Sequence, residues 1–220
     1  MIIAIDGPAG SGKTTIGRLV AEQLHFPLVD TGLYYRAVTV EARRRGIAAD
    51  DVSGLVSLLT TIQIQLNTEP GPGRVQVLVD GRDVSDQVAD PEIAGQLARI
   101  AQIGEVRRLL IEPQRRSAGR DAVVLGRDIG TVIFPQAEVK FFFTAPAAER
   151  AARRRRELDR TRGSATPDAV LEQEIDARDR ADSERETAPL RAAPDAIIFA
   201  TEGKSVREVF DEVMRRLPKH

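Results

Sequence analysis

The sequence runs to 220 residues, long for one domain and short for two, which fits a single body carrying a small insert. Apolar residues make up 42% and charged residues 30%, ordinary for a chain with a sizeable core, and 32 basic against 33 acidic side chains exclude a strongly cationic nucleic-acid coat or polybasic membrane binder. The absence of cysteine excludes disulfides, thiolate metal sites and a cysteine nucleophile, and it suits a reducing cytoplasm.

Met1-Ile-Ile-Ala-Ile-Asp6 has no basic lead and meets a charge at its sixth residue, so it does not read as a secretory signal. No apolar stretch approaches the roughly 18 residues of a membrane span. The expected location is therefore the cytoplasm. Of the basic residues, 28 are Arg; the bias suits two-pronged binding of phosphate, though genome composition produces it as well.

In chain order, short apolar runs at Ile2–Ile5, Pro27–Val29, Ala122–Leu125, Val139–Phe143 and Ala196–Ala200 read as parallel strands buried on both faces. Helix-like stretches lie between and after them: Lys13–Leu24, Leu33–Arg45, Pro91–Ser117, Ala147–Leu158, Pro167–Glu186 and Ser205–Leu217. This alternation predicts an α/β fold with right-handed crossovers. From Ile62 to Val84 the rhythm changes: Ile62, Ile64 and Leu66, then Val75, Val77 and Val79, alternate with other residues around a Pro70-Gly-Pro-Gly73 turn. That pattern predicts an antiparallel hairpin insert, with a third strand near Val84.

The segment Gly7-Pro8-Ala9-Gly10-Ser11-Gly12-Lys13-Thr14 matches G-x-x-x-x-G-K-[ST] directly after a strand and at a helix start. Its glycines let backbone N–H groups converge on a polyphosphate, and the helix that begins near Lys13 adds its positive end. Lys13 is expected to reach the terminal phosphates and Thr14 to offer its hydroxyl to Mg²⁺, with Thr15 beside it. A kinase, a switch GTPase, a motor and a DNA-dependent ATPase all use such a loop. The single Asn of the chain, Asn67, is followed by Thr68, so the Asn-Lys-x-Asp guanine loop is missing. A kinase would need a second site with fixed cations for an anionic acceptor.

Further segments follow in register: Asp30-Thr31-Gly32 with Tyr35-Arg36, Gly126-Arg127-Asp128-Ile129-Gly130-Thr131, and Glu149-Arg150-Ala151 with Arg153-Arg154. Arg178-Asp179-Arg180, Asp182-Ser183-Glu184-Arg185 and Ala188-Pro189-Leu190 complete the series. From first strand to last helix the chain resembles bacterial cytidylate kinases, nucleoside monophosphate kinases that phosphorylate CMP and dCMP with ATP. The resemblance implies a P-loop NTPase-type five-stranded parallel sheet flanked by helices, within one domain over residues 1–220. It also implies a monophosphate-binding insert over about 31–117, the hairpin at 62–84, and an Arg-rich helical lid over about 148–166.

By the same resemblance, Thr31 contacts the acceptor's sugar side and Arg36 and Arg127 hold its phosphate. Asp128, Arg178 and Asp182 address the ribose, and Arg107 and Arg185 lie against base and phosphate. Arg150, Arg153 and Arg154 match lid arginines that close over ATP. The implied partners are ATP with Mg²⁺ and CMP or dCMP, with no nucleic acid or membrane, and the chain is expected to act as a monomer.

On spacing alone, Arg178, Asp182 and Arg185 share one helix face, which suits a ligand site but equally an exposed ion-pair stripe. Arg127 and Asp128 follow a strand, where open α/β sheets bind ligands, or simply begin a turn. Glu149–Arg162 holds seven Arg against three acidic residues and reads as a charge-neutralising lid ahead of a solvated face. Two positions depart from the family pattern. Leu125 stands where Asp is common, leaving Asp128, Asp6 or solvent to organise metal-bound water. Ala98 stands where a Ser contacts cytosine, which removes one base contact. UMP, AMP or another small anion remain rival acceptors, and a nucleic-acid-stimulated ATPase is the rival of another class.

Overall fold

The computed structural model describes residues 1–67, 75–162 and 167–218. The five expected parallel strands form: β1 (Ile2–Asp6), β2 (Leu28–Asp30), β6 (Ala122–Gly126), β7 (Val139–Thr144) and β8 (Ile197–Ala200), in the order β2-β6-β1-β7-β8. Every pairing among them is parallel. Burial on both faces explains the unbroken apolar runs. Ile2, Ala4, Val29, Ala122 and Val124 face one layer, and Ile3, Ile5, Val123, Leu125 and Phe141 face the other. Successive strand residues point to opposite faces, so both faces need apolar side chains.

The first layer packs on α2 (Gly32–Arg44), α3 (Val52–Thr61) and α6 (Gly104–Ala118); the second packs on α1 (Lys13–Leu24) and α9 (Val206–Arg216). Three Phe rings compensate for few aromatics: Phe141 meets Phe143 and Phe199 edge-on, at 6.4 and 6.3 Å. A separate pair, α7 (Ala147–Arg162) and α8 (Asp168–Glu184), packs through a small seam of Ala151, Leu171 and Ile175 with Ala147 and Leu158 against it.

The insert is a three-stranded antiparallel sheet: β3 (Ile64–Asn67), β4 (Gln76–Val79) and β5 (Arg82–Asp83). Its expected third strand lies just before Val84. The turn Pro70–Gly73 falls outside the described residues. Asp80 and Gly81 both take positive φ, 51° and 77°, the two-residue Asp-Gly turn that matches strand twist.

The expected helix over Pro91–Ser117 is corrected. A 3₁₀ turn at Pro91–Ile93 leads into α5 (Ala94–Ile100), and the chain breaks at Ala101–Ile103 before α6. The break has a use, because the freed carbonyl of Ala101 accepts from Arg107 Nη1 at 3.0 Å. Two helices escaped the sequence reading: α3, capped by Asp51 on the Gly54 N–H at 2.9 Å, and the single-turn α4 (Ser85–Ala89). Among the described residues no helix is long and apolar enough to cross a membrane.

The insert is fastened to α2 by one buried carboxylate. Glu41, 1% exposed, accepts from Arg44 Nη2 at 2.5 Å, Arg45 Nε at 2.7 Å and, from β5, Arg82 Nη2 at 2.7 Å. Hydrogen bonds from Arg44 and Arg45 outweigh burial and hold its carboxyl down at about 2, against an ordinary 4.5. A depressed carboxyl stabilises the fold above the unfolded pKa, and that contribution fades as pH falls toward 2. Glu41→Gln is therefore expected to cost about 1–2 kcal/mol at pH 7 after screening through half-exposed arginines. The gap from wild type should narrow below pH 4.5; urea unfolding at pH 7 and pH 3.5 measures both, and a gap that widens in acid would count against the clamp.

Candidate active site

Parallel register places the carboxyl ends of β1, β6 and β2 side by side, with Asp6 beside Gly126 and Asp30 beside Leu125. The loops that leave those ends therefore share one edge, where open α/β sheets form ligand crevices. The loop after β1 turns through Gly7, Gly10 and Gly12 at φ 144°, 74° and 91°. A Cβ at Gly7 would sit 2.3 Å from the Phe143 carbonyl oxygen, so no larger residue fits there. Gly12 caps α1 with no side-chain bond, and the first turn carries no acidic residue. Its N–H groups and positive dipole end are left to an anion.

Lys13 folds across this loop and donates from Nζ to the Pro8 carbonyl at 2.6 Å and the Ser11 hydroxyl at 3.3 Å. Burial, and then the positive field of Arg127, holds its ammonium well below the usual lysine value, against the pull of Asp30 and Asp6. A polyphosphate would reverse that balance. Thr14 and Thr15 are exposed at the helix start, beside partly buried Pro8 and Ala9.

Asp6 is the last residue of β1. Its two oxygens accept from the N–H groups of Ile129 and Gly130, both at 2.8 Å. Burial pushes its carboxyl up to about 6 despite these bonds. Ile129–Ile133 forms a π-helical turn, a form frequent at functional sites. Asp6 thereby fixes the segment that follows Arg127 and Asp128.

A second group of residues is the one expected on the acceptor side. Asp128, buried, pairs with Arg107 Nη2 at 2.8 Å and lies 3.8 Å from Arg185 Nη2. Asp182 accepts from Arg127 Nε at 3.0 Å and Arg185 Nη1 at 3.2 Å. Arg185 lies just past the end of α8 in extended backbone, with Nε on the Ala188 carbonyl at 2.6 Å. The shared helix face thus holds for Arg178 and Asp182 only, and the second guanidinium that Asp182 orients is Arg127 rather than Arg178. Arg36, on α2, donates to the Val88 carbonyl at 2.8 Å. Thr31 is buried, its hydroxyl donating to the Leu125 carbonyl at 2.8 Å, which joins the ends of β2 and β6.

The cations gather around one space. The fields of Arg127 and Arg178 act on Lys13, those of Arg127 and Arg36 on Arg178, and that of Arg154 on Arg36. Five segments of the chain supply them. Arg154 is exposed, whereas Arg150 is buried and works as a staple: Nε to Ala145 O at 2.9 Å, Nη1 to Ala9 O at 3.1 Å, Nη2 to Asp179 at 2.6 Å. Arg153 reaches Thr201, with Nη2 2.8 Å from its carbonyl and Nη1 3.0 Å from its hydroxyl, and also pairs with Glu149.

Sequence reasoning missed Tyr35, Gln114, Asp179 and Thr201, whose partners lie far along the chain. Ala98 is exposed, and Leu125 packs toward α1, its Cδ2 2.5 Å from where a Cβ on Gly17 would stand.

One loop for a polyphosphate, with a separate cationic pocket for a second anion across the sheet edge, is the division of labour in a P-loop small-molecule phosphotransferase. The chain belongs to the cytidylate kinase family, whose family model matches residues 3–219, and with it to the nucleoside monophosphate kinases. A cytidylate kinase of Carboxydothermus hydrogenoformans is 41% identical over 215 residues, covering 97% of this chain and 96% of that protein. A bifunctional pantoate ligase/cytidylate kinase of Synechococcus elongatus is 44% identical over 218 residues. The match covers 97% of this chain and 41% of that protein, so the chain spans about two fifths of that relative's length. The solved structure of TT1252 from Thermus thermophilus, 23% identical, aligns at a TM-score of 0.44 over 100% of this chain and 98% of that one.

The Arg150 staple yields a stability prediction. Arg150→Met should cost roughly 2–4 kcal/mol, because it leaves Asp179 and the Ala9 carbonyl without their partner. Thermal unfolding checks it, and a melting temperature equal to wild type would contradict the role.

Proposed function

We propose that this domain transfers the γ-phosphoryl group of ATP to the phosphate of CMP or dCMP, giving ADP and CDP or dCDP. The observation that carries the reading is the ring of cations facing the Gly7–Thr14 loop. Lys13 lies in the fields of Arg127 and Arg178, Arg178 in those of Arg127 and Arg36, and Arg36 in that of Arg154, an arrangement that an anionic acceptor relieves.

In this reading the loop and Lys13 hold ATP, while Arg36 and Arg127 hold the acceptor phosphate in line with it. One acceptor oxygen bonds to the γ-phosphorus as the bond to the β,γ-bridging oxygen breaks, and that oxygen leaves on ADP. The acceptor oxygen is already anionic, so no general base is required. Catalysis is then positioning plus charge neutralisation. Residues from α2 through α6 form the acceptor-binding part. The segment over about 148–166, which includes most of α7, closes as a lid with Arg153 and Arg154 above ATP, excluding water that would otherwise hydrolyse it.

A divalent metal such as Mg²⁺ fits the donor set. Thr14 offers an exposed hydroxyl beside the uncapped helix start, and the remaining ligands would be phosphate oxygens and water, as that ion prefers. Both oxygens of Asp6 are taken by backbone N–H groups, Asp128 is taken by arginines, and Leu125 faces α1. Metal-bound water would therefore be ordered by phosphate and solvent. When bound, the ion would neutralise charge developing between the β- and γ-phosphates.

Release of ADP across CMP, dCMP, UMP and AMP tests the reading. CMP and dCMP should be turned over fastest, and a preference for AMP would contradict it. Lys13→Ala should lower kcat on the order of a hundredfold or more, the scale of losing one preorganised charge donor. Arg36→Ala should raise KM for the acceptor by about ten- to a hundredfold, the cost of a charged hydrogen bond, and leave KM for ATP in place. Equal losses for both substrates would remove the division between donor and acceptor sites.

A further inference from the structure

The guanidinium of Arg107 is held by more than its ion pair. It is buried, with Nη1 on the Ala101 carbonyl and Nη2 on Asp128, while Nε is buried without a partner. Those bonds hold its two terminal nitrogens. The guanidinium carbon stands over the Tyr35 ring, 5.1 Å from its centroid. An aromatic face attracts a cation electrostatically, and the attraction strengthens where water is excluded.

Tyr35 is itself fixed from both sides. Tyr34, before it on α2, donates to the Pro113 carbonyl of α6 at 2.9 Å, and Arg36, after it, is tied to Val88. Gln114 adjoins the Tyr35 hydroxyl, its side-chain nitrogen buried and unpartnered. It stands two helical turns beyond Arg107 on α6, so one face of that helix meets the ring at both ends. Burial pushes the Tyr35 hydroxyl up to about 12, and the ring stays neutral at working pH.

We infer that Tyr35 is a positioning residue for acceptor selectivity: its ring holds the plane of Arg107, so that α2 places base recognition and, through the adjacent Arg36, phosphate recognition as one unit. The inference rests on the proposed role of Arg107 beside the acceptor base. It gives the acceptor pocket a determinant other than the hydrogen-bonding side chain that Ala98 cannot supply.

A volume-preserving series tests it in the full chain. Position 35 is changed to Phe, then to mono-, di- and trifluorophenylalanine, which withdraw electron density from the ring face while filling nearly the same space. KM is measured with whichever acceptor the wild type turns over fastest. A failure of the CMP reading then appears in the wild type, and a failure of this inference appears only in the series. KM for the acceptor should climb with each fluorine and reach roughly tenfold over Phe, the scale of a desolvated cation–π contact. KM for ATP and the melting temperature should stay level along the series. In an Arg107→Ala background the same series should be flat. A flat series with Arg107 present, or an equal climb without it, would overturn the inference and leave Tyr35 as packing.

Discussion

The fold has to keep several guanidinium groups and one ammonium facing a common space, and everything else about the site follows from how it does so. Like charges at roughly 6 Å repel by about 3 kcal/mol each in a partly screened interior, so the side chains would swing away unless something held them. Asp128 and Asp182 do the holding. Each bridges arginines from different elements: Asp128 takes Arg107 with Arg185 nearby, and Asp182 takes Arg127 and Arg185. Asp6, Asp30 and Asp179 act on the other members, Lys13, Arg36 and Arg178. In the proposed reading these fixed charges form the acceptor site before the anion arrives, and charges placed in advance need no reorganisation during the reaction.

The donor loop shows the same economy. Lys13 rests on the Pro8 carbonyl, a contact that a phosphate can replace without moving the backbone. Asp6, one residue before the loop, fixes the π-helical turn after Asp128, so the donor loop and the acceptor arginines are built on one buried carboxylate. Arg150 ties the base of α7 to Ala9 in the loop and to Asp179 beside Arg178. Through that tie the proposed lid is rooted in both proposed substrate sites, and farther out Arg155 pairs with Asp168 of α8 at 3.0 Å.

The sheet was legible because strands buried on both faces leave an unbroken apolar signature. The phosphate loop was legible because its glycines answer a local steric demand, such as the closeness of Gly7 to Phe143. The lid helix and α1 could be read from periodicity alone. What stayed hidden depends on contacts between distant residues. The break at Ala101–Ile103 carries no proline. Its benefit, a carbonyl for Arg107, exists only after folding. Spacing put Arg178 and Arg185 on the face of Asp182; Arg185 does pair with it from just past the helix end, but the second guanidinium is Arg127, 55 positions away. Arg150 looked like its exposed neighbours because nothing in a run of arginines tells which one turns inward to meet Asp179. Glu41 read as an ordinary helix position, and Tyr35 as one residue of a family segment, since a clamp on β5 and a platform under Arg107 leave no mark on local sequence.

A structure of the chain with CMP and an unreactive ATP analogue bound together tests the central claim most directly. The account predicts the CMP phosphate between Arg36 and Arg127, facing the γ-phosphate, with Asp128 and Asp182 keeping their present partners and Lys13 moved from the Pro8 carbonyl onto the donor. A monophosphate bound elsewhere, or arginines that had to abandon both aspartates to reach it, would contradict the idea that the acceptor site is formed in advance.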